Sequence, residues 1–393
     1  MLVVLLPILF QKQNSKTSGF YEQNRYYINL LDMLVIAYVV FICAMSLRGL
    51  PFTSTLRFFI DCSILILIPY FAISRSLVNT KAIEKVLFAF LILALILSMI
   101  SIITELKGWK FYFLHKPYVH EFDKDTYRFG FLRVGGIIYN PAVIGMFLTA
   151  GLVSLEYFRN TLKIATLHVW LLRFLLIAAI IFSGTRAAIL SACIVMVLYI
   201  FFSARHAYIR QMIIAAGVIC FAAVLLFEQT PSIAKFDAHG TFDYRYQLIL
   251  ASIEQVKAYP FLGQINFIQS GNFDHLLQGQ GIIDIVNYYI QIILEYGIVG
   301  LTLLLSIFLT AILYIYRFYT QSQIALFPDS FKYVTFGSAF LSLILSYIVY
   351  MGTISGVSYL PIFGVVLFAI MRSINHMMYM EWQEHFIKKT LPG

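Results

Sequence analysis

Apolar runs of about twenty residues recur along this chain, separated by short segments that hold most of its charge. A helix rising about 1.5 Å per residue needs such a run to cross about 30 Å of hydrocarbon. The runs show no strand-like alternation, and a bilayer offers no water to unpaired backbone groups, so helices are the spanning structure that satisfies them. Of 393 residues, 61% are hydrophobic and 12% charged, more apolar surface than a water-soluble core can hold. The sequence therefore predicts an all-α, polytopic transmembrane protein, with residues 1–393 forming a single transmembrane domain.

Hydropathy places spans at 28–47, 56–74, 86–104, 136–157, 167–184, 187–203, 211–228, 288–316, 333–352 and 358–373, within an expected total of about 10–12. The segment Met1 to Phe10 lacks a basic start and a small-residue cleavage site, so it does not read as a removable signal peptide. Two connections are long, 105–134 and 229–284, where helix connections usually take a few residues. Short-loop Lys and Arg are retained on the cytoplasmic side. Arg372, Lys388 and Lys389 put the C-terminal tail there, and alternation adds Arg317, Arg205, Arg159, Arg75 and Lys85. Both long loops and the turn Ser183-Gly184-Thr185-Arg186 then emerge on the extracytoplasmic side, with Arg48 and Arg186 as exceptions to the retention rule.

The net charge of +9 is thus a matter of topology and gives no nucleic-acid surface. Cys43, Cys62, Cys193 and Cys220 all lie in apolar runs and suggest neither a disulfide framework nor a zinc spacing. His115, His120, His239 and His275 lie in the long loops without metal-ligand spacing. No phosphate-binding glycine loop is present, so the sequence implies no ATP site, no metal and no cofactor. Arg173 reads as snorkelling toward the membrane surface, and Asp61 as a partner for Arg57 four residues earlier.

Four stretches carry unusual polar chemistry. The first long loop ends in Arg133-Val134-Gly135-Gly136 and leads to Asn140-Pro141 at the next span. Arginine followed by glycines at a helix mouth suits an anion, because backbone can approach closely and guanidinium offers a fork of donors. An interfacial arginine and aromatic belt is the plainer reading. Arg186, a cation on the costly side of a tight turn, is either an anion site or a snorkelling side chain. In the second long loop Tyr244-Arg245 opens a helical apolar pattern through Leu248, Leu250, Ile253 and Val256 to Pro260-Phe261-Leu262-Gly263. That pattern would pack the helix on the membrane domain and hold Arg245 above it, although a solvated arginine fits as well. The fourth stretch runs from Asp284 through Asn287, Tyr288 and Gln291 to Glu295-Tyr296-Gly297. On a helix Asp284, Asn287 and Gln291 would share a face, and Asp284 could alternatively serve as the helix cap.

Together and in this order, the Arg133 to Pro141 stretch, the turn at Arg186, the stretch from Arg245 to Gly263 and the re-entry at Asn287 resemble the O-antigen ligase and polymerase family. The resemblance implies a GT-C-like, O-antigen ligase-like membrane fold in a bacterial inner membrane. It also implies metal-independent glycosyl transfer from an undecaprenyl-diphosphate-linked oligosaccharide on the extracytoplasmic face, with undecaprenyl diphosphate released. By this resemblance Arg133, Arg186 and Arg245, with Asn140, would bind the diphosphate, and Arg186 and Arg245 would act in catalysis. Asp284 is the candidate base, with His275 and His239 as alternatives, while Asn287, Tyr288, Gln291 and His275 would face the acceptor.

Ligase members typically carry His immediately before the Asn of the re-entry segment, where this chain has Val286. That favours a Wzy-type polymerase making O-antigen or a related surface polysaccharide of the lipopolysaccharide kind. Its partners would be the lipid bilayer, the lipid-linked oligosaccharide, a chain-length regulator and a flippase. Polymerases also show a fixed Arg-to-Gly spacing in both outer loops, which Arg133 and Arg245 do not reproduce. The alternatives are an O-antigen ligase, or a glycolipid flippase or transporter, for which midplane ionisable sites and repeat symmetry would be expected.

Overall fold

The computed structural model describes residues 28–107, 127–128, 131–132, 134–135, 140–162, 165–204, 208–213, 215, 241–277, 283–323, 330–354 and 360–390. Eleven α-helices carry the described fold: α1 (Leu30–Ser46), α2 (Phe52–Cys62), α3 (Ile68–Ser76), α4 (Thr80–Lys107), α5 (Pro141–Leu162), α6 (Thr166–Phe182), α7 (Arg186–Ser203), α8 (Thr241–Ala258), α9 (Tyr288–Gln323), α10 (Ser330–Met351) and α11 (Leu360–Thr390). A two-residue hairpin pairs Tyr127–Arg128 with Phe131–Leu132. Among the described residues seven helices are long and apolar enough to cross a membrane, and α1 and α6 are apolar helices just short of that length. The protein is thus all-α and polytopic. The expected span at 211–228 lies largely outside the described residues.

Local chemistry sets the helix boundaries. Asn29 caps α1 and Asp32 reaches back to the Asn29 amide, completing a capping box. Asn140 caps α5 by accepting from the amides of Ala142 and Val143, with Pro141 at the first helical position. The second predicted span is α2 and α3 joined through one π-helical turn, Ser63–Leu67, just before Pro69.

Because lipid tails are as apolar as the side chains, helices in a bilayer associate through close packing and buried polar contacts. Gly145 of α5 lies so near α7 that a Cβ there would sit 2.3 Å from the Cβ of Ala188. Side chains such as Trp170, Phe174, Leu309 and Leu313 point outward from the bundle, as hydrocarbon-facing residues do.

One end of the bundle is locked by charge. Arg75 grips Asp32 through both guanidinium nitrogens at 2.9 and 2.8 Å, Tyr70 donates to it at 2.8 Å, and Arg372 lies 3.5 Å away. Asp32 and Arg372 are buried. The start of α1, the end of α3 and the middle of α11 therefore meet at one level. Arg372 lies within α11, which runs on to Thr390, and not in a tail beyond it, and the cluster draws its guanidinium into the bundle. Tyr157 of α5 donates to Glu84 of α4, and Tyr319 of α9 donates to the Phe202 carbonyl of α7, joining further helix ends that alternation assigns to one side.

Two expectations fail in this framework. Arg173 does not snorkel: it forms a two-point ion pair with Glu156 of α5, because the carboxylate faces it across the α5–α6 contact and is otherwise buried. Arg57 and Asp61 make no ion pair. Both are exposed on α2, where an i,i+4 pair gains little.

Candidate functional site

The opposite end of the bundle gathers the four polar stretches. Gly184, at φ +60°, turns the chain between α6 and α7, and the Val134 amide donates to the Phe182 carbonyl at 3.1 Å. The first stretch therefore sits directly against the Arg186 turn. Tyr350, at the end of α10, donates to the Ala142 carbonyl at the start of α5. Two residues earlier, the Ile348 carbonyl accepts from the Tyr289 hydroxyl at 2.8 Å. The last turn of α10 thus ties the start of α5 to the start of α9.

The third stretch joins the fourth through Tyr244. Its hydroxyl donates to the Asp284 carbonyl at 2.9 Å and accepts from the Asp284 amide at 3.0 Å. At the other end of α8, the segment Pro260 to Gln264 docks into a break in α9. Gly297 has φ +66° and ψ −168°, which interrupts the helix and frees backbone groups on both sides. Ile298 and Val299 donate to the carbonyls of Pro260 and Phe261 at 2.8 and 3.2 Å, and Gln264 donates to the Leu294 carbonyl at 2.8 Å. Every backbone group freed inside a membrane protein needs such a partner. Any Cβ at Gly297 would fall 2.2 Å from the Phe261 carbonyl oxygen, and one at Gly263 (φ +60°) 2.6 Å from the backbone of α9. Since Tyr244 meets Asp284 and Pro260 meets Ile298, α8 and the first part of α9 run side by side for roughly 20 Å.

The sequence from the middle of α6 through this paired unit, residues 171–305, matches the family model described as O-antigen ligase. That segment is similar to the O-antigen ligase family. Members of that family are polytopic membrane proteins, as the seven long apolar helices here suit, and glycosyltransferase-like enzymes acting on polyprenyl-linked sugars. No curated protein matches the chain.

Within the matched segment, Arg186 is the first residue of α7, exposed, with no ion pair among the described residues. Arg245, near the start of α8, is half-buried, and its Nε is buried without a hydrogen-bond partner among the described residues. Such an orphaned donor in a folded protein calls for an explanation, and an absent anion is one. Asp284 is half-buried beside Tyr244. His275 is exposed on the short 3-10 turn Asp274–Leu276. Asn140, before the matched segment, has its side-chain oxygen committed to capping α5. Arg133 and His239 lie outside the described residues.

The re-entry segment differs from the expected helix. Residues 283–287 are not helical and α9 begins at Tyr288, so Asp284, Asn287 and Gln291 do not share a helix face. Asn287, not Asp284, is the cap, accepting from the amides of Tyr289 and Ile290 at 2.9 and 3.2 Å. The Tyr244 hydroxyl holds the Asp284 backbone out of the helix. Tyr288 pairs with Tyr38 in the bundle, and Gln291 donates to Glu295 at 3.1 Å.

The buried face of α8 also differs from the expected one. Leu248, Ala251, Ser252 and Gln255 are buried, while Leu250 and Ile253 are exposed. Leu248 and Ala251 pack with Phe267, Phe273, Leu276, Ile285 and Leu294 in a cluster separate from the main core. Gln255 is buried because it is satisfied, donating to Gln264 at 2.6 Å and accepting from Asn272 at 2.9 Å. Sequence reasoning gave Tyr350 no role, since one tyrosine among the many in apolar runs carries no periodic signal.

Proposed function

We propose that this chain is a polymerase of O-antigen or a related surface polysaccharide, working on the extracytoplasmic face of a bacterial inner membrane. The observation that carries the reading is the tie between Tyr244, the neighbour of Arg245, and Asp284: the Tyr244 hydroxyl bonds both polar backbone groups of Asp284. That puts a half-buried guanidinium with an orphaned Nε and a half-buried carboxylate at the junction of α8 and α9.

The reaction requires both groups. A hydroxyl of the acceptor repeat unit attacks the anomeric carbon of the donor sugar while the bond to the diphosphate oxygen breaks, its electron pair leaving with undecaprenyl diphosphate. Asp284 takes the proton from the attacking hydroxyl. Arg245 and Arg186 neutralise charge growing on the leaving oxygen, with Arg133 and Asn140 completing the diphosphate site. Asn287, Tyr288, Gln291 and His275 belong to the acceptor side. No step calls on a metal.

Val286, in the position where ligases typically carry His before Asn287, supports polymerase over ligase. Deletion of the gene tests this choice. Loss of a polymerase leaves single repeat units on the carrier and on finished glycolipid, whereas loss of a ligase leaves long polymer stranded on the carrier. Stranded polymer would overturn the reading.

A further inference from the structure

A second polar site lies at the far end of the α8–α9 unit. Where Gly297 breaks α9, a cavity of about 190 Å³ opens between the end of α1, α2, residues 265–268 and α9. It is lined by Ser46, Leu50, Phe58, Asn266, Phe267, Glu295 and Tyr296 among others. One water needs only about 10–15 Å³ by such a measure, so this space admits a ring-sized ligand.

Its construction is specific. Asn266 is the one non-glycine residue with positive φ among the described residues, at +62°. Asparagine adopts that left-handed backbone more readily than other residues with a side chain. Here Asn266 donates to the Gly49 carbonyl at 3.3 Å, and Arg48 donates to the Leu262 carbonyl at 3.3 Å. These contacts clamp the loop after α8 onto the turn between α1 and α2, forming the cavity wall. The Asn266 side-chain oxygen makes no hydrogen bond among the described residues, and Ser46, which donates to the Cys43 carbonyl at 2.7 Å, keeps lone pairs to accept.

Glu295 gives the cavity its sign. Its carboxylate receives Gln291 at 3.1 Å and a bond from Tyr296, and forms no ion pair among the described residues. A carboxyl group so placed accepts hydrogen bonds from hydroxyl groups. Phe58, Phe267 and Tyr296 supply apolar surface beside it. A lining that combines aromatic rings with hydrogen-bonding groups suits a sugar ring, which has an apolar C–H face and a hydroxyl rim.

We propose that this cavity is a saccharide subsite, in which Glu295 accepts hydrogen bonds from hydroxyls of a neutral sugar in the glycan chain. The proposal rests on the polymerase reading and extends it. Glu295 lies eight residues beyond Asn287 on α9, about 12 Å along the helix, so a sugar held there is a repeat-unit residue away from the reacting bond. Arg245 would then grip the charged end of the substrate and Glu295 the uncharged one.

The test uses the full chain in lipid nanodiscs and the free oligosaccharide released by mild acid from the host's own lipid-linked intermediate, which carries no diphosphate. Binding is measured by saturation-transfer NMR and calorimetry. Wild type should bind it. Glu295→Gln, which keeps shape and removes charge, and Leu50→Trp, which fills the cavity from another wall, should each weaken binding by about tenfold or more. Arg245→Ala should leave this binding intact while losing the diphosphate-linked substrate. Wild-type affinity in both cavity variants, or no binding by wild type, overturns the subsite. Either result leaves the polymerase reading standing if the wild-type chain still extends lipid-linked units.

Discussion

The Tyr244 hydroxyl holds both backbone polar groups of Asp284, donating to its carbonyl at 2.9 Å and accepting from its amide at 3.0 Å. One phenol thereby fixes the start of α8 to the segment leading into α9 and prevents Asp284 from joining that helix. Tyr244→Phe should lose about 1 kcal/mol of stability per bond removed and lower turnover at unchanged protein level. Turnover equal to wild type would mean that the position of Asp284 is immaterial.

Arg245 and Arg186 should be needed for reaction and not for insertion. Neither forms an ion pair among the described residues, so alanine at either position leaves no buried partner charge behind. Each variant should reach normal membrane levels while polymer formation falls about 100-fold or more. Arg245→Lys should not restore it, because a lysine lacks the planar fork. Ladder length and abundance on gels measure this directly.

The two glycines at the α8–α9 junction admit no side chain. Gly297→Ala puts a Cβ 2.2 Å from the Phe261 carbonyl oxygen at a backbone φ of +66°. Displacing the docked segment exposes several backbone groups at once, so a loss of about 3 kcal/mol or more is expected. The thermal midpoint of detergent-purified protein should fall accordingly. Gly271, also at positive φ but with only the Asp274 carboxylate near its would-be Cβ, should tolerate alanine far better.

At the other end of the bundle, Asp32→Asn removes the anion between Arg75 and Arg372. Breaking a buried ion cluster from one side costs about 3–5 kcal/mol. Yield and midpoint should drop, yet the activity of each surviving folded molecule should match wild type, since the cluster lies at the end remote from Arg245.

Much of this organisation was legible in the sequence. Runs of apolar residues mark the spans among the described residues because membrane backbone has few alternatives, and the exceptions to charge retention, Arg48 and Arg186, both lie at the candidate-site end. Asn140-Pro141 marks a helix start, whereas Gly297 lies inside a stretch that reads as one continuous span, 288–316, and its break shows only in the structure. What was not legible came from tertiary pairing. Periodicity over Leu248 to Val256 could not tell which apolar face would be buried, since the choice depends on Phe267, Phe273 and Leu294 arriving from elsewhere. Helical spacing put Asp284 on a helix because nothing nearby in sequence reveals that Tyr244, forty residues earlier, holds its backbone. Glu295 read as an extension of that face, and its cavity exists only once Asn266 closes on Gly49.

The central claim is that Arg245 and Asp284 act on one lipid-linked diphosphate sugar. It is tested most directly by giving the purified chain, alone in nanodiscs, radiolabelled undecaprenyl-diphosphate repeat unit and following polymer and undecaprenyl diphosphate together. The account predicts that wild type releases one carrier for each linkage formed and that Arg245→Ala and Asp284→Asn do neither. Equal polymer formation by wild type and both variants would contradict it.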